Sequence, residues 1–547
     1  MTGSKNINAI SYHHFLFPFR WDILCKKFKP SEIKETKYKF DDRTDLVKAS
    51  SFFEHTPWSR QQVGKMKDVD LYNELTYFHE FVRRVIYDFE EDYTESITRY
   101  YEYDLNLFEK KEFVIEAYCK KEDLSPGVTA KEKNDFYIRQ AVLEVEGISL
   151  HLYNTGIGVL SFSLANRNPV QSSPDDILFI NELGRRIYPQ FLGENYTWDT
   201  QRVFLPKSVS LGNWQEDFSQ YNDLKNLSFR KSFLPPVFIK NLFTDRIIFS
   251  VDEELNKDKI LFTRVLDDRM FFLSWYGNSS FAGEIGENYG VSKWWYSYIF
   301  GDRSAGGSIA NDEMMRRQLN DHTYERWSKY GTLYGMSRDS FVCLSADAAY
   351  LEKEDLPRLD VHMNTVYYQI AVLALVQRAS VVKFSAEVAG LADMAKTPND
   401  NNSTLDRIKD LYMNYIEFIN KVYFREVTSQ IQGIEIYNQF HKVMRIAEDV
   451  KDLDGEIQEL HNYAEMVKQY QMAKRSENLN KFGLPLLIAS LVAGILGINF
   501  IQGDPVLFKG KLDKEVLKAL LLIIAFPLIY FLIYGIRVFI RFMKRKK

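Results

Sequence analysis

Two long apolar runs towards the C-terminal end of the sequence limit what this chain can fold into more than any other feature. The first covers residues 482–501 and the second covers residues 519–540. Each has about 20 residues, the length that a helix needs to cross a hydrocarbon core of ~30 Å. A buried helical hairpin of a soluble protein is the alternative, but apolar stretches of this length favour membrane spans. The sequence therefore predicts a transmembrane hairpin with a short polar outer loop at residues 502–518.

Basic residues predict the orientation of this hairpin. Arg537 lies near the end of the second run, and the tail at residues 541–547 carries five more Lys or Arg residues and no acid. The outer loop holds four lysines as well, but it also contains Asp and Glu. Because short segments rich in Lys and Arg stay on the cytoplasmic side, the tail is predicted to be cytoplasmic. Two spans bring the chain back to the same side of the membrane, so residues 1–481 are predicted to be cytoplasmic too. The N-terminal residues lack the apolar core of a signal peptide, which agrees with this location.

The rest of the sequence divides into a part with strands and a part dominated by helix. In ISLHLYNTGIGVLSFSLAN, a turn at Asn154-Thr155-Gly156 separates two runs that read as β-strands. DILFINELGRRIYPQFL begins at Asp176 with helical spacing, and Pro189 predicts the end of that helix. Strands interleaved with helices indicate an α/β or α+β domain, which we assign to residues 1–350. Residues 351–481 are predicted to form a helical stalk, and residues 482–547 form the transmembrane domain.

The stalk is predicted to contain one very long helix that starts at Leu405 and continues into the first apolar run. Between residues 440 and 470 the apolar positions recur at intervals of three and four. This spacing is typical of the seam of a helical bundle or coiled coil. Glycine and proline mark the candidate bends along it: Gly433, Gly455, Gly483 and Pro485.

Composition and motifs argue against several other classes of protein. The net charge of −4 gives no electrostatic indication of a nucleic-acid partner. The 3 cysteines are far apart and form no CxxC pair, so a disulfide framework or a zinc site is not expected. HExxH, GxSxG and P-loop patterns do not occur, and His13 and His14 are expected to pack in the core. The chain is therefore not expected to be an enzyme, although an enzyme with a membrane anchor stays an alternative.

The first apolar run ends in Gly497-Ile498-Asn499, and Phe500 follows. A large cytoplasmic domain, a long helix, a span that ends in Gly-x-Asn, a short outer loop and a basic tail together resemble the CorA family of divalent-cation channels. The signature of that family at this place is Gly-Met-Asn, so Ile498 departs from the pattern at its middle residue. The resemblance covers residues 361–547. It implies a homopentamer in the bacterial inner membrane, with Gly497, Ile498 and Asn499 as the selectivity filter.

A pentamer would place five Asn499 side chains around one axis. Their amide oxygens would face a hydrated Mg²⁺ ion or another divalent cation, which keeps its inner water shell. Apolar constrictions below such a ring close pores by dewetting. The residues that share a helix face with Asn499 are predicted to line the pore: Leu496, Val492 and Ile488 or Ala489. An ordinary helix C-terminus is the alternative for the motif, because Gly and Asn favour that position. Contact with lipid is the alternative for the pore face.

The resemblance implies two ways of controlling such a pore. CorA-like channels are described as closing when cytoplasmic Mg²⁺ binds acidic sites between subunits. An acidic run in the stalk is the candidate, with a solvated helix face as the alternative: Glu448, Asp449, Asp452, Asp454 and Glu456. The large aromatic-rich domain, with YNTGIGVLSFSLAN, GRRIYP and DDRMF, resembles a subset of CorA-like proteins associated with type III CRISPR systems. That subset implies an antiviral membrane effector switched by a nucleotide messenger, a conjugate of S-adenosylmethionine and AMP.

Charged side chains in two of these motifs are candidates for binding a nucleotide: Arg185, Arg186, Asp267, Asp268 and Arg269. Arginine forks suit phosphate groups, and charges among strand-like apolar residues must be paired or functional. A structural ion-pair network or a β-turn is the alternative. The sequence thus predicts a cation channel controlled by its cytoplasmic domain. The alternatives are a constitutive, Mg²⁺-regulated divalent-metal transporter and a membrane scaffold that does not conduct.

Overall fold

A computed structural model of the chain describes residues 9–24, 44–65, 69–90, 96–120, 136–187, 205–218, 234–250, 257–266, 269–303, 309–356, 358–395 and 401–501. The chain divides into two compact units, Met1–Leu460 and His461–Lys547. The first unit holds a large sheet with helices packed against it. The protein is thus a mixed α/β structure, as the interleaved strand and helix patterns predict.

The described strands form one sheet of 14 strands in the order β12-β13-β14-β11-β1-β6-β5-β4-β7-β8, with β10 and β9 attached at β1, and β3 and β2 attached at β5. The pairs β11–β14 and β9–β10 are parallel, and the other pairs are antiparallel. The strands are β1 (Ser11–Leu24), β2 (Trp58–Arg60), β3 (Thr98–Tyr103), β4 (Glu112–Lys120), β5 (Phe136–Tyr153), β6 (Ile157–Asn166), β7 (Ser208–Leu211), β8 (Trp214–Asp217), β9 (Ile247–Ile248), β10 (Lys259–Arg264), β11 (Phe271–Gly277), β12 (Thr323–Tyr324), β13 (Leu333–Met336) and β14 (Ser340–Ser345).

The long strand β1 lies in the middle of this sheet. Along one edge it pairs with β6, from Ser11 opposite Asn166 to Arg20 opposite Ile157. Along the other edge its first half pairs with β11 and its second half pairs with β10. Nearly every residue of β1 is buried, because helices cover both faces of the sheet there.

The helices are α1 (Leu46–Ser50), α2 (Val69–Tyr77), α3 (Glu80–Ile86), α4 (Pro174–Gly184), α5 (Val237–Lys240), α6 (Ser279–Gly286), α7 (Lys293–Phe300), α8 (Asp312–His322), α9 (Ala348–Lys353), α10 (Leu359–Asn364), α11 (Val366–Ala395), α12 (Asn401–Lys421), α13 (Ile431–Met444) and α14 (Ile446–Ile501).

His13 and His14 show which helices cover each face, since successive strand residues point to opposite sides. The His13 ring donates from Nδ1 to the side-chain oxygen of Asn181 on α4, at 2.7 Å. The His14 ring donates from Nε2 to the side-chain oxygen of Asn364 on α10, at 2.6 Å. Helix α4 therefore covers one face of β1, and α10 with the following α11 covers the other. Both histidines are buried, so the expectation that they pack in the core is confirmed.

The predicted hairpin around Asn154-Thr155-Gly156 is confirmed as β5 and β6, with Gly156 at φ 77° in the turn. The predicted end of the next helix at Pro189 is wrong, because α4 already ends at Gly184. Tight packing explains the glycine at this end, since a Cβ atom there would lie 2.6 Å from the Phe15 ring.

The predicted continuous helix from Leu405 is also wrong, because the chain breaks twice before α14 begins. Helix α12 ends at Lys421, and the next helix starts only at Ile431. Tertiary contacts hold this break: the Gln377 side chain on α11 donates to the carbonyl oxygen of Val422 at 2.8 Å. The second break is at Arg445, whose φ of 57° lies in the left-handed region. The glycines and the proline that were candidate bends lie inside α13 and α14.

The helical stretch Leu359–Asp393 is long and apolar enough to cross a membrane by length and composition. However, 83% of its apolar window is buried inside the protein, where α11 packs against β1 and β6. This stretch is the central helix of the first unit. The predicted first span is helical in α14, and the predicted second span at residues 519–540 lies outside the described residues.

Candidate functional site

The predicted filter lies close to the end of α14. The backbone is helical through Gly497, Ile498 and Asn499, and the helix ends at Ile501. The predicted pore-lining positions lie on the same helix: Ile488, Val492 and Leu496. Two leucines beside them are exposed, Leu487 at 65% and Leu491 at 60%. The outer loop, the second span and the basic tail lie outside the described residues, so the assembled filter stays a prediction.

The acidic run of the stalk lies at the start of α14. Its carboxylates are largely exposed, and the buried stripe of the same helix carries Val450, Leu453, Ile457 and Leu460. This stripe confirms the predicted apolar seam over these residues. Among the residues that the structure describes, no group of three or more His, Cys, Asp or Glu side chains could hold a metal ion. A metal site between subunits stays a prediction of the resemblance.

The predicted ligand-binding arginines gather where α4 and α7 both end. Helix α4 starts with a capping box between Ser173 and Asp176, and Arg185 follows its last residue as the C-cap. Helix α7 starts at the cap Ser292 and ends at Gly301, which has a φ of 61°. The Arg185 side chain reaches this second helix end. Its Nη2 atom donates to the carbonyl oxygens of Phe300 at 3.2 Å and Gly301 at 3.0 Å.

The backbone joins Arg185 and Arg186 to Arg269. Arg186 and Arg269 form an antiparallel β-bridge, and the amide of Met270 donates to the carbonyl oxygen of Arg185 at 2.8 Å. The guanidinium group of Arg185 lies 5.0 Å from the centre of the Phe272 ring. Arg269 and Met270, which lead into β11, are therefore held against the end of α4.

Two carboxylates complete the group. Glu182 accepts a hydrogen bond from Arg303 Nε at 2.7 Å and lies 3.9 Å from Arg186 Nη2. Asp339, in the turn between β13 and β14, lies 3.9 Å from Arg269 Nη2. We call this group the arginine cluster and define it by six residues: Arg185, Arg186, Arg269, Arg303, Glu182 and Asp339. Asp339 also accepts from Arg378 on α11 at 3.2 Å, so it joins the cluster to the helix on the other face of the sheet.

Arg185 is the most buried cation of the cluster, with 1% of its surface exposed. Burial, as the largest cause, and the positive charges of Arg269 and Arg186 lower the pKa of its guanidinium group from 12.5 to about 9. Asp339 and Glu182 act in the opposite direction but more weakly. Its Nε and Nη1 atoms are buried and have no hydrogen-bond partner among the residues that the structure describes.

The structure brings Arg185, Arg186 and Arg269 together, whereas Asp267 and Asp268 lie outside the described residues. Sequence reasoning missed Glu182, Arg303 and Asp339. Glu182 had a local signal, since it precedes Arg186 by one helical turn, the spacing at which opposite charges interact. Arg303 and Asp339 are far along the chain and gave no such signal. The aromatic residues Trp295 and Tyr296 of α7 are buried in the core.

Comparison with known proteins adds no family to these observations. No family model matches the chain, and no curated protein matches it either.

Proposed function

We propose that the chain is a membrane cation channel of the CorA type whose opening is controlled by its large sheet-containing domain. The observation that carries this proposal is the position of Gly497-Ile498-Asn499. The tripeptide lies at the end of the apolar helix α14, and the sequence continues with a polar loop, a second apolar run and a basic tail. The exposed leucines Leu487 and Leu491 support it, because they give α14 an apolar surface that lipid or another subunit can cover.

The proposed mechanism has an ion-selecting part and a gate. Five Asn499 amides hold a hydrated divalent cation at the outer end of the pore. The apolar positions Ile488, Val492 and Leu496 close the pore by excluding water. Helix α14 begins among residues of the sheet-containing unit and carries the filter near its other end, so it is the element through which the domain acts. A ligand shifts the equilibrium between the open and the closed channel only if it binds these two states with different affinity.

The first test is divalent-cation flux into proteoliposomes that contain the full-length chain. We expect flux with the wild type and none above empty liposomes with Asn499→Ala. The matched control is Asn480→Ala, which removes an exposed amide from the same helix and should conduct like the wild type. Equal flux with Asn499→Ala and the wild type would contradict the assignment of the filter.

The flux measurement also distinguishes the proposed channel from the alternative functions. Flux that requires Asn499 and responds to internal Mg²⁺ alone would indicate a constitutive, Mg²⁺-regulated transporter. Flux that changes with an added nucleotide would indicate an effector under the control of a messenger. No flux from folded oligomers under any of these conditions would overturn the channel and favour the scaffold. The mass of the detergent-solubilised protein, expected to be that of a pentamer, is measured beforehand.

A further inference from the structure

We infer that four polar side chains of α13 form a joint with residues 321–327, and that this joint sets the position of the first turns of α14. We call these side chains the polar stripe of α13 and define it by Gln432, Glu435, Gln439 and Lys442. The inference rests on the proposed function for the claim that the position of α14 controls conduction. The joint itself can be tested without any measurement of flux.

The spacing of the polar stripe is the first argument. Its members are three or four residues apart, so they lie along one side of the helix. A different side carries the buried residues Ile436, Tyr437 and Phe440. The Phe440 ring lies 5.1 Å from the Phe341 ring of β14, centre to centre. The apolar side therefore packs α13 into the sheet-containing unit, and the polar stripe makes a second, separate contact.

Glu435 makes the most specific contact of the polar stripe. Its carboxylate accepts from Arg326 Nε at 2.9 Å, from Nη2 of the same guanidinium group and from the hydroxyl of Tyr324. The hydrogen bond from Arg326 lowers the pKa of the Glu435 carboxyl, so the pair is charged at neutral pH. Because a guanidinium fork binds a carboxylate in one geometry, this contact fixes the rotation of α13 against the segment.

The other members of the polar stripe contact the same short segment. Lys442 Nζ donates to Asp321 Oδ1 at 3.0 Å, and the Gln439 amide donates to the carbonyl oxygen of Asp321. Trp327 Nε1 donates to the side-chain oxygen of Gln432 at 3.3 Å. The side chains of Asp321 and Lys442 are 64% and 62% exposed, and exposed ion pairs add little stability. The joint is therefore weak enough to open while the unit stays folded.

The backbone connects the joint directly to α14. Arg445 is the one residue between the two helices. Its amide donates to the carbonyl oxygen of Lys442 at 3.2 Å, and its carbonyl oxygen accepts from the amide of Asp449 at 3.0 Å. Backbone hydrogen bonds thus continue through the bend, and Lys442 takes part in both the joint and the bend. A displacement of the end of α13 must carry the first turns of α14 with it.

His322 connects the joint to the rest of the sheet-containing unit. It is the last residue of α8, and its Nδ1 atom donates to the carbonyl oxygen of Met336 on β13 at 2.6 Å. Its ring centre lies 5.0 Å from that of Phe300, whose carbonyl oxygen accepts from Arg185. Energetic coupling between distant parts of a protein is carried by contiguous contacts of this kind. The end of α7 is therefore one ring contact away from the joint.

An ordinary solvated helix face is the alternative for the polar stripe, since charged residues on a helix surface often only face water. In that case α13 would be held by its apolar side alone. Reversing a charge in the stripe would then leave both the first turns of α14 and the flux unchanged.

The test is amide hydrogen exchange of the full-length protein in detergent. Asp321→Lys and Lys442→Asp each place like charges at the joint, and Glu435→Arg does so opposite Arg326. In each variant we expect the amides of residues 446–460 to exchange about 2–5-fold faster, the range that loss of an exposed ion pair allows. The double variant Asp321→Lys/Lys442→Asp restores opposite charges and should exchange like the wild type.

The matched control is Asp245→Lys, which reverses the charge of an equally exposed aspartate that pairs with Lys257 at 2.6 Å outside the joint. This variant should leave the exchange of residues 446–460 unchanged. If Glu435→Arg does not fold, the variants of Asp321 and Lys442 decide the outcome. Unchanged exchange in both single variants of that pair, or equally fast exchange in the double variant, would overturn the inference.

Flux into proteoliposomes tests whether the joint controls conduction. Asp321→Lys should change the flux of the wild type by up to ~5-fold, because a loosened joint shifts the ratio of open to closed channels. The double variant should restore the wild-type flux. Faster exchange at residues 446–460 with unaltered flux would overturn the role of the joint in gating.

The two proposals fail separately. Exchange that rises in the single variants and returns in the double variant, in a protein that does not conduct, would keep the joint and remove the channel. Flux that requires Asn499 but is the same in all variants of the joint would keep the channel and remove the joint from its control.

Discussion

Gly301 illustrates how one residue without a side chain shapes the arginine cluster. It ends α7 in the left-handed region at a φ of 61°, where residues with a Cβ atom are strained. It also makes room for Arg185, because a Cβ atom there would lie 2.7 Å from Nη2. The helix end and the buried arginine therefore depend on the same glycine.

A substitution at this position should be costly. We expect Gly301→Ala to lower the free energy of unfolding by about 1–3 kcal/mol, through backbone strain and collision with Arg185. The control is Gly283→Ala on α6, where an added Cβ atom meets nothing within 4 Å. That change should raise the free energy of unfolding by up to ~1 kcal/mol, since alanine favours a helix interior. Chemical denaturation of both variants measures the difference, and equal stabilities would contradict the role of Gly301.

At this scale the sequence predicted part of the site. Arg185, Arg186 and Arg269 could be selected because charged residues stand out among apolar strand and helix patterns. Arg303 and Asp339 could not, because they join the cluster only through the fold. The parallel pairing of β11 with β14 brings the turn that carries Asp339 beside Arg269, and no local pattern encodes this pairing.

At the scale of elements, local patterns predicted strands and turns better than helix ends. The hairpin of β5 and β6 follows from alternation and a glycine turn, which are both local properties. The break after Lys421 follows instead from burial of Val422 and Val427 and from the hydrogen bond of Gln377. Tertiary contacts of this kind override helix propensity, so the sequence predicted a single helix where the chain forms three.

The second break makes a prediction about Arg445, a residue with a side chain in the left-handed region. Its only ion pair among the described residues is a weak one, 3.9 Å from Asp449 at the surface. We expect Arg445→Gly to raise the free energy of unfolding by about 1 kcal/mol, because glycine adopts this conformation without strain. Arg445→Ala keeps the Cβ atom and should give no such gain. Denaturant unfolding measures both, and a gain with alanine would point to the lost charge instead of the backbone.

At the scale of the whole molecule, buried histidines make the sheet-containing unit sensitive to acid. Burial lowers the pKa of His13 and His14 to about 4 and that of His151 to about 3. In the unfolded chain these histidines bind protons near pH 6.5, whereas in the folded chain they stay neutral to a lower pH. Below pH 6.5 the unfolded state therefore binds more protons, and the free energy of unfolding falls as the pH falls.

His151 offers a direct test of this acid sensitivity. Its ring is buried between aromatic neighbours, with its centre 4.6 Å from that of the Tyr100 ring and 6.2 Å from that of the Tyr153 ring. Its Nδ1 atom has no hydrogen-bond partner in the described part of the chain. We expect His151→Phe to keep these ring contacts and to remove the titration. The variant should gain about 2 kcal/mol over the wild type between pH 6.5 and pH 5. Chemical denaturation across this range measures the gain, and parallel pH curves would contradict it.

The central position of β1 has a consequence for the time at which the sheet can close during synthesis. Its partners β6, β10 and β11 all come later in the chain, and the last of them ends at Gly277. At ~5–20 residues per second, a ribosome needs roughly 10–50 s to make the ~250 residues between β1 and the end of β11. For that time a strand that the folded sheet buries almost completely stays in the nascent chain without its neighbours. The yield of folded protein should therefore depend on what shields residues 11–24 after they leave the ribosome.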